Sequence, residues 1–383
     1  MFSIKRFTLL LATVLQLSAA MCSFLIILIL KNKLTLEVFA ELSIAFFLSG
    51  IVIPLTSMKL GRKYFILVRD MGLSPFVWMT QRFVFFSIVT SLVYIVSYKG
   101  GVAPTSVALV FFIFLSSIDL VPKGYFEAHQ AITNAVLQFI ERFIQFIMCL
   151  IDPDLFFRFC IPVRMTMIFS LWAAAFWQNR GREWQSLTMA HYRRFLREVR
   201  LYAPSGIVNT IMLQAPIWLG GVHTDVQAIS NLAIIRQATL FSRNFSVVAS
   251  NIFHVAILSV WSKFLTFFSG MIIVTTFGLV ALLIVLENVV GAGTTTIMIF
   301  LIVLWSFQIT FVNLLSKRMS LKEVDTNQLA GAIVGLFVVM VVFFLLRIMF
   351  NFVESYVISI VIAHTVSIIL AYWLAARNVN IKI

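Results

Sequence analysis

Apolar residues dominate this chain in long runs interrupted by short polar breaks, with little of the two- or three-residue alternation that marks half-buried elements of a soluble fold. A helix needs about 20 apolar residues to cross a hydrocarbon core. On that scale the pattern predicts twelve spans, near 7–30, 38–58, 76–97, 103–122, 128–151, 159–178, 201–221, 226–258, 264–286, 292–315, 328–349 and 353–375. What remains between them is too short to fold as a soluble domain. Strands of an outer-membrane barrel are about 10 residues long and alternate in polarity, whereas Phe24–Leu30 and Ile333–Leu346 are apolar on every side. Helices then satisfy the backbone in lipid, and the predicted class is an all-α polytopic membrane protein.

Composition agrees: 61% of residues are hydrophobic and 11% charged, against about a quarter charged in soluble domains. The net charge of +14 would suggest nucleic acid in a soluble protein, but its distribution explains it without such a partner. With Lys5 and Arg6 in the cytoplasm, parity places Lys59, Arg62, Lys63, Arg193, Arg197, Lys317 and Arg377 there too, and few basic residues, such as Lys31, Lys33 and Arg158, near the other face. That bias predicts both termini inside. The first run could be read as a signal peptide ending at Ser18-Ala19-Ala20, but it continues uncharged to Leu30, as an uncleaved span does. Cys22, Cys149 and Cys160 lack metal-ligand spacing, leaving a Cys149–Cys160 disulfide across a short outer loop as the alternative to free thiols.

The longest polar connection divides the chain into a lobe of 1–178, a basic linker of 179–200 and a lobe of 201–383. In the linker Trp184, Leu187, Tyr192, Phe195 and Val199 recur at near-helical spacing among Arg193, Arg194, Arg197 and Arg200. It is either an amphipathic helix on an anionic leaflet or a connection whose charges only set topology. The lobes share a weak repeat: Glu37-Val38-Phe39-Ala40 returns as Asp225-Val226-Gln227-Ala228, and Ala45 matches Ala233. Repeats of this kind place a substrate path at their interface in transporters.

Polar side chains inside the spans are the candidate functional groups, because hydrocarbon rejects them unless they are partnered or wet. In the eighth span Ser230, Gln237, Asn244 and Asn251 recur at steps of seven, shadowed one position earlier by Arg236, Arg243 and Ser250. Both rows drift slowly round the helix and form one polar sector. In the fifth span Gln130, Asn134, Gln138, Glu141 and Gln145 share an arc with Arg142 at its edge. The pattern predicts either a central cleft lined by one helix of each lobe or polar contacts that knit helices together. Arg82 and Arg164 either face the cleft, pair with an acid or snorkel. Arginines outnumber carboxylates in the spans, so a cleft here would select an anion, particularly a phosphate or pyrophosphate. Glu141 is the candidate for ion coupling, with a salt partner such as Arg142, or an Arg of the other lobe, as the structural alternative.

The two-lobe layout, the basic loop Lys59-Leu60-Gly61-Arg62-Lys63, and the segment from Tyr202-Ala203-Pro204 to Trp218-Leu219-Gly220 resemble the Wzx-type polysaccharide flippases. These share a superfamily with MATE multidrug exporters and lipid II flippases. The resemblance implies a V-shaped pair of six-helix lobes, alternating access without covalent chemistry or a cofactor, and a bacterial inner-membrane location. It implies as substrate an oligosaccharide repeat unit on undecaprenyl pyrophosphate, and as partners membrane lipids and a polysaccharide polymerase or chain-length regulator. Arg236 falls where flippase relatives often carry a cavity Arg, so Arg236, Arg243, Arg82, Arg142, Gln237 and Asn244 form the expected cationic cavity. Ala40 and Ala228 depart from the family's usual Gly.

Two rival readings follow from the same residues. A MATE-like exporter of organic cations would need a cavity carboxylate, which the first and seventh spans do not carry, although Glu141 could serve. A membrane polymerase or ligase would need a large outer loop, whereas the longest here is near Asp152 to Arg158, and no nucleophile, metal cluster or phosphate-binding Gly-rich loop is present.

Overall fold

The computed structural model describes residues 4–44, 71–74, 131–178, 188–194, 207–209, 211–213, 226–252, 299–308 and 321–379, together with isolated positions such as 47, 180, 185, 196 and 197. Side chains of 4–10, 241–252 and 321–328 lie outside that description. So do the spans expected at 76–97, 103–122, 201–221 and 264–286, apart from single positions and short pieces, and the loop 59–63.

Six long helices stand among the described residues: α1 (Ile4–Lys33), α2 (Ala131–Ile151), α3 (Pro153–Gln178), α4 (Val226–Ile252), α5 (Leu321–Leu346) and α6 (Phe352–Val379). No strand is present among them, apart from one isolated bridge between Leu73 and Gln185. Four of the six carry stretches long and apolar enough to cross a membrane: Val14–Lys33, Pro153–Ala174, Leu329–Leu346 and Phe352–Ala371. Further described helix lies at 36–44 and Ile299–Gln308.

The expected outer loop from Asp152 to Arg158 is not a loop. Asp152 alone separates α2 from α3; its Oδ1 accepts the Asp154 backbone N–H at 3.0 Å, and Pro153 opens the next helix. A side-chain cap followed by proline at the first helical position is a helix start. The polar cluster therefore turns the chain within one residue. Lys33, at the end of α1, donates from Nζ to the Leu150 carbonyl at 2.8 Å, covering the carbonyl end of α2. The turn between α5 and α6 is capped likewise, by Asn351 Oδ1 accepting from Glu354 N at 2.9 Å.

Packing follows two different chemistries. In α2, Val136, Ile140, Phe143, Ile147 and Leu150 are exposed along one stripe while Ala135, Glu141, Gln145 and Cys149 are buried on the other, which puts the apolar stripe toward lipid and the polar one inward. The α5–α6 pair instead uses small residues. A Cβ on Gly331 would come within 2.5 Å of the Ser367 carbonyl, and one on Gly335 within 2.8 Å of Met212 Sδ and 3.2 Å of the Ala363 carbonyl. Gly331 and Gly335 meet Ala363, Ser367 and Ala371, spaced four apart on α6, the small-residue packing that lets membrane helices approach closely.

The buried core is continuous from α1, α2 and 36–47 through the first half of α4 to α6. Leu232, Ile234, Ile235 and Ala238 of α4 are fully buried, and α4 packs on both α1 and α6. All three cysteines are buried free thiols, so Cys149 and Cys160 are not joined; Cys149 Sγ points to the Ile26 carbonyl at 3.9 Å.

Candidate functional site

Two arginine sites lie among the described helices, built on different partners. In the first, Arg164 of α3 forms a buried ion pair with Glu141 of α2, through Nη1 and Oε1. Gln145, one turn along α2, donates Nε2 to the same carboxylate oxygen at 3.3 Å and accepts from Arg142 Nη1 at 3.0 Å through its Oε1. Carboxylate, amide and two guanidinium groups thus form one chain. Burying either charge alone would cost several kcal/mol, which explains why the two sit on facing helices.

This placement settles where the expected fifth-span arc goes. Glu141 and Gln145 are buried among packed helices rather than exposed on an open wall. Arg142 is half-buried, and among the described residues Glu141 forms an ion pair with Arg164. Asn134 lies in α2, with its side chain outside the described residues.

The second site centres on α4. Arg236 stacks its guanidinium over the Phe47 ring at 4.8 Å, so a cation from the second half of the chain covers an aromatic ring from the first. Phe47 is buried and Arg236 half-buried. On the α6 side, the wholly buried Tyr356 donates its hydroxyl to the Leu213 carbonyl at 3.0 Å and meets Trp305 edge to face. Arg236 lies within electrostatic reach of that hydroxyl. A guanidinium can stack on a ring through its face and donate hydrogen bonds through its edge.

Gln237 beside it is half-buried. Ser230, the first of the seven-step row, is fully buried and spends its hydroxyl on the Val226 carbonyl at 3.0 Å, so the row starts as helix packing rather than cavity lining. Arg243 and Asn244 continue α4, their side chains outside the described residues; Arg82 is outside them altogether, as are Asp119 and Glu287. Phe47 and Tyr356 are marked by no polar pattern in the sequence. The α5–α6 packing has a signal there, Gly331 and Gly335 at a step of four.

No protein-family model matches the chain, and no curated protein does. Solved structures do. A mutant of the Vibrio cholerae MATE transporter VcmN aligns with 98% of this chain and 97% of its own at a TM-score of 0.55 and 10% identity. A multidrug resistance MATE family transporter of the MOP superfamily, in an outward-facing conformation, aligns over 98% and 96% at 0.54 and 12%. A MOP superfamily transporter from Pyrococcus furiosus, described as having a binding pocket of reverse polarity suggesting a different function, aligns over 99% and 97% at 0.54 and 11%. The protein is therefore a multi-pass, all-helical membrane protein. Its fold is that of the MATE transporters.

Proposed function

We propose that the chain is a flippase that moves an anionic, lipid-linked oligosaccharide, an undecaprenyl-pyrophosphate-linked repeat unit of a surface polysaccharide, across a bacterial inner membrane with both termini cytoplasmic. Arg236 carries the reading: a guanidinium held on α4 at a junction between the two halves of a transporter fold is built to meet a phosphate oxygen. The neighbour from Pyrococcus furiosus supports it in that its own binding pocket is described as having reverse polarity, suggesting a different function. Alternating access of the lobes 1–178 and 201–383, joined by 179–200, would let the polyprenyl tail stay in lipid while the headgroup crosses through water.

Arg236, with Gln237, Arg243, Asn244, Arg82 and Arg142 as further candidates, holds the headgroup in this account. Glu141 is the coupling group: loss of its charge leaves Arg164 buried without its carboxylate, a cost large enough to repack α2 against α3. A MATE-like exporter is the second reading, favoured by the fold it shares with multidrug transporters. The ion pair weakens it, because the buried carboxylate is already matched by Arg164.

Deleting the gene in its host separates the readings. The flippase reading expects loss of surface glycan and accumulation of undecaprenyl-linked repeat units on the cytoplasmic leaflet. Single repeat units accumulating on the outer leaflet would indicate a polymerase, and intact glycan with new sensitivity to cationic dyes an exporter.

A further inference from the structure

The connection between the halves of the chain carries a second set of arginines, none of which the transport reading uses. α3 ends in exposed Phe176 and Trp177, and Arg180 stacks over the Trp177 ring at 5.2 Å. An aromatic pair at the end of a membrane-crossing helix marks headgroup depth. Five residues on, Gln185 N donates to the Gly72 carbonyl at 2.9 Å, tying the connection to the residues after the second predicted span. Gly72 has φ of 65°, and a Cβ there would stand 3.3 Å from the Gln185 side chain, so glycine permits both the turn and the contact.

From Thr188 the chain turns helical. Thr188 N donates to His191 Nδ1 at 3.1 Å while His191 N donates to the Thr188 carbonyl at 3.1 Å, a reciprocal start that fixes where the helix begins. Residues 189–194, 196 and 197 are helical. At about 100° per residue, Met189 and Leu196 fall within about 20° of each other, and Arg193, Arg197 and Arg194 follow on the adjoining flank. Met189 and Leu196 are 70% and 61% exposed, and the three arginines are exposed beside them.

We propose that this segment is an interfacial helix that binds the phosphates of anionic phospholipids, with Met189 and Leu196 seated in the acyl boundary and Arg193, Arg194 and Arg197 on the headgroups. Large apolar side chains displayed to water next to a basic flank, on a segment tethered at headgroup depth, match an anionic leaflet in both polarity and charge. A bilayer surface adjoins this segment in every copy of the protein, so no further partner has to be recruited. The helix would hold the link between the halves at a fixed depth, and lipid composition would then act on it directly.

The test uses the full chain with Met189→Cys, labelled with a fluorophore; the three native thiols are buried. Labelled protein is placed in nanodiscs of acyl-brominated phosphatidylcholine, alone or mixed with brominated phosphatidylglycerol. Strong bromine quenching in the mixed discs is expected, falling several-fold in R193E/R197E and kept in R193K/R197K, with both variants eluting as the parent does on size exclusion. Quenching that is absent in the mixed discs, or equal in both lipids and indifferent to charge reversal, would overturn the proposal. So would a label that stays unquenched while the helix captures an acidic protein.

Discussion

Arg164 and Arg236 are both arginines within the helical part of the fold, and they stand in different surroundings. Arg164 is buried against the Glu141 carboxylate, with Gln145 on the same oxygen and Arg142 behind it. Arg236 is half-buried and rests on the Phe47 ring across the two halves of the chain. Removing one member of a buried ion pair costs about 3–5 kcal/mol, whereas a stack on an aromatic ring is worth about 0.5–2 kcal/mol. The first contact holds two helices of one half together. The second joins the two halves of the chain.

The contrast breaks most visibly at the ion pair. Arg164→Ala should destabilise the protein by about 3–5 kcal/mol, read as a large drop in detergent-solubilised melting temperature, while replacing both Glu141 and Arg164 by apolar residues of similar volume should recover most of it. Equal losses in the single and double variants would deny that the charges compensate each other. Glu141→Gln separates coupling from support: the coupling role expects transport that no longer responds to a collapsed proton or sodium gradient. A full response would leave Glu141 structural only.

A smaller effect is expected away from both arginines. Gly331→Val should cost about 1–3 kcal/mol by overpacking α5 against α6, because the Ser367 carbonyl occupies the space a Cβ would need; an unchanged melting temperature would contradict that packing. Smallest is Phe47→Leu, which removes the ring but keeps the apolar bulk and should shift stability by no more than about 2 kcal/mol. It should leave headgroup binding in place, whereas a loss of transport as complete as that of an Arg236 variant would make the stack, not the charge, the functional contact.

The helical membrane class was legible from hydropathy; α1 and α6 lie within four residues of the expected spans, and the apolar stretch of α5, Leu329–Leu346, within three. Asp152-Pro153 reads as polar punctuation and so predicts a loop; the same two residues also spell a cap and a first helical turn, and only the observed chain path decides between them. The inward arc of α2 was readable from spacing, yet Arg164 lies 23 positions from Glu141 on another helix, and a one-dimensional pattern ranks it no higher than Arg142 as a partner. Phe47 could not be singled out among 39 phenylalanines, since an aromatic beneath a cation looks like any core residue until a distant helix is placed over it.

Flipping of a pyrophosphate lipid as proposed requires Arg236 to meet an anion. The direct measurement is binding of an undecaprenyl-pyrophosphate-linked saccharide to purified protein in nanodiscs, compared among the parent, Arg236→Lys and Arg236→Ala with folding verified for each. Loss of one charged hydrogen-bonding partner is worth about 1.5–3 kcal/mol, so Arg236→Ala should weaken binding about tenfold to a hundredfold, Arg236→Lys should fall between it and the parent, and a neutral polyprenol should bind all three alike. Equal affinity of the parent and Arg236→Ala for the pyrophosphate lipid would contradict the headgroup role.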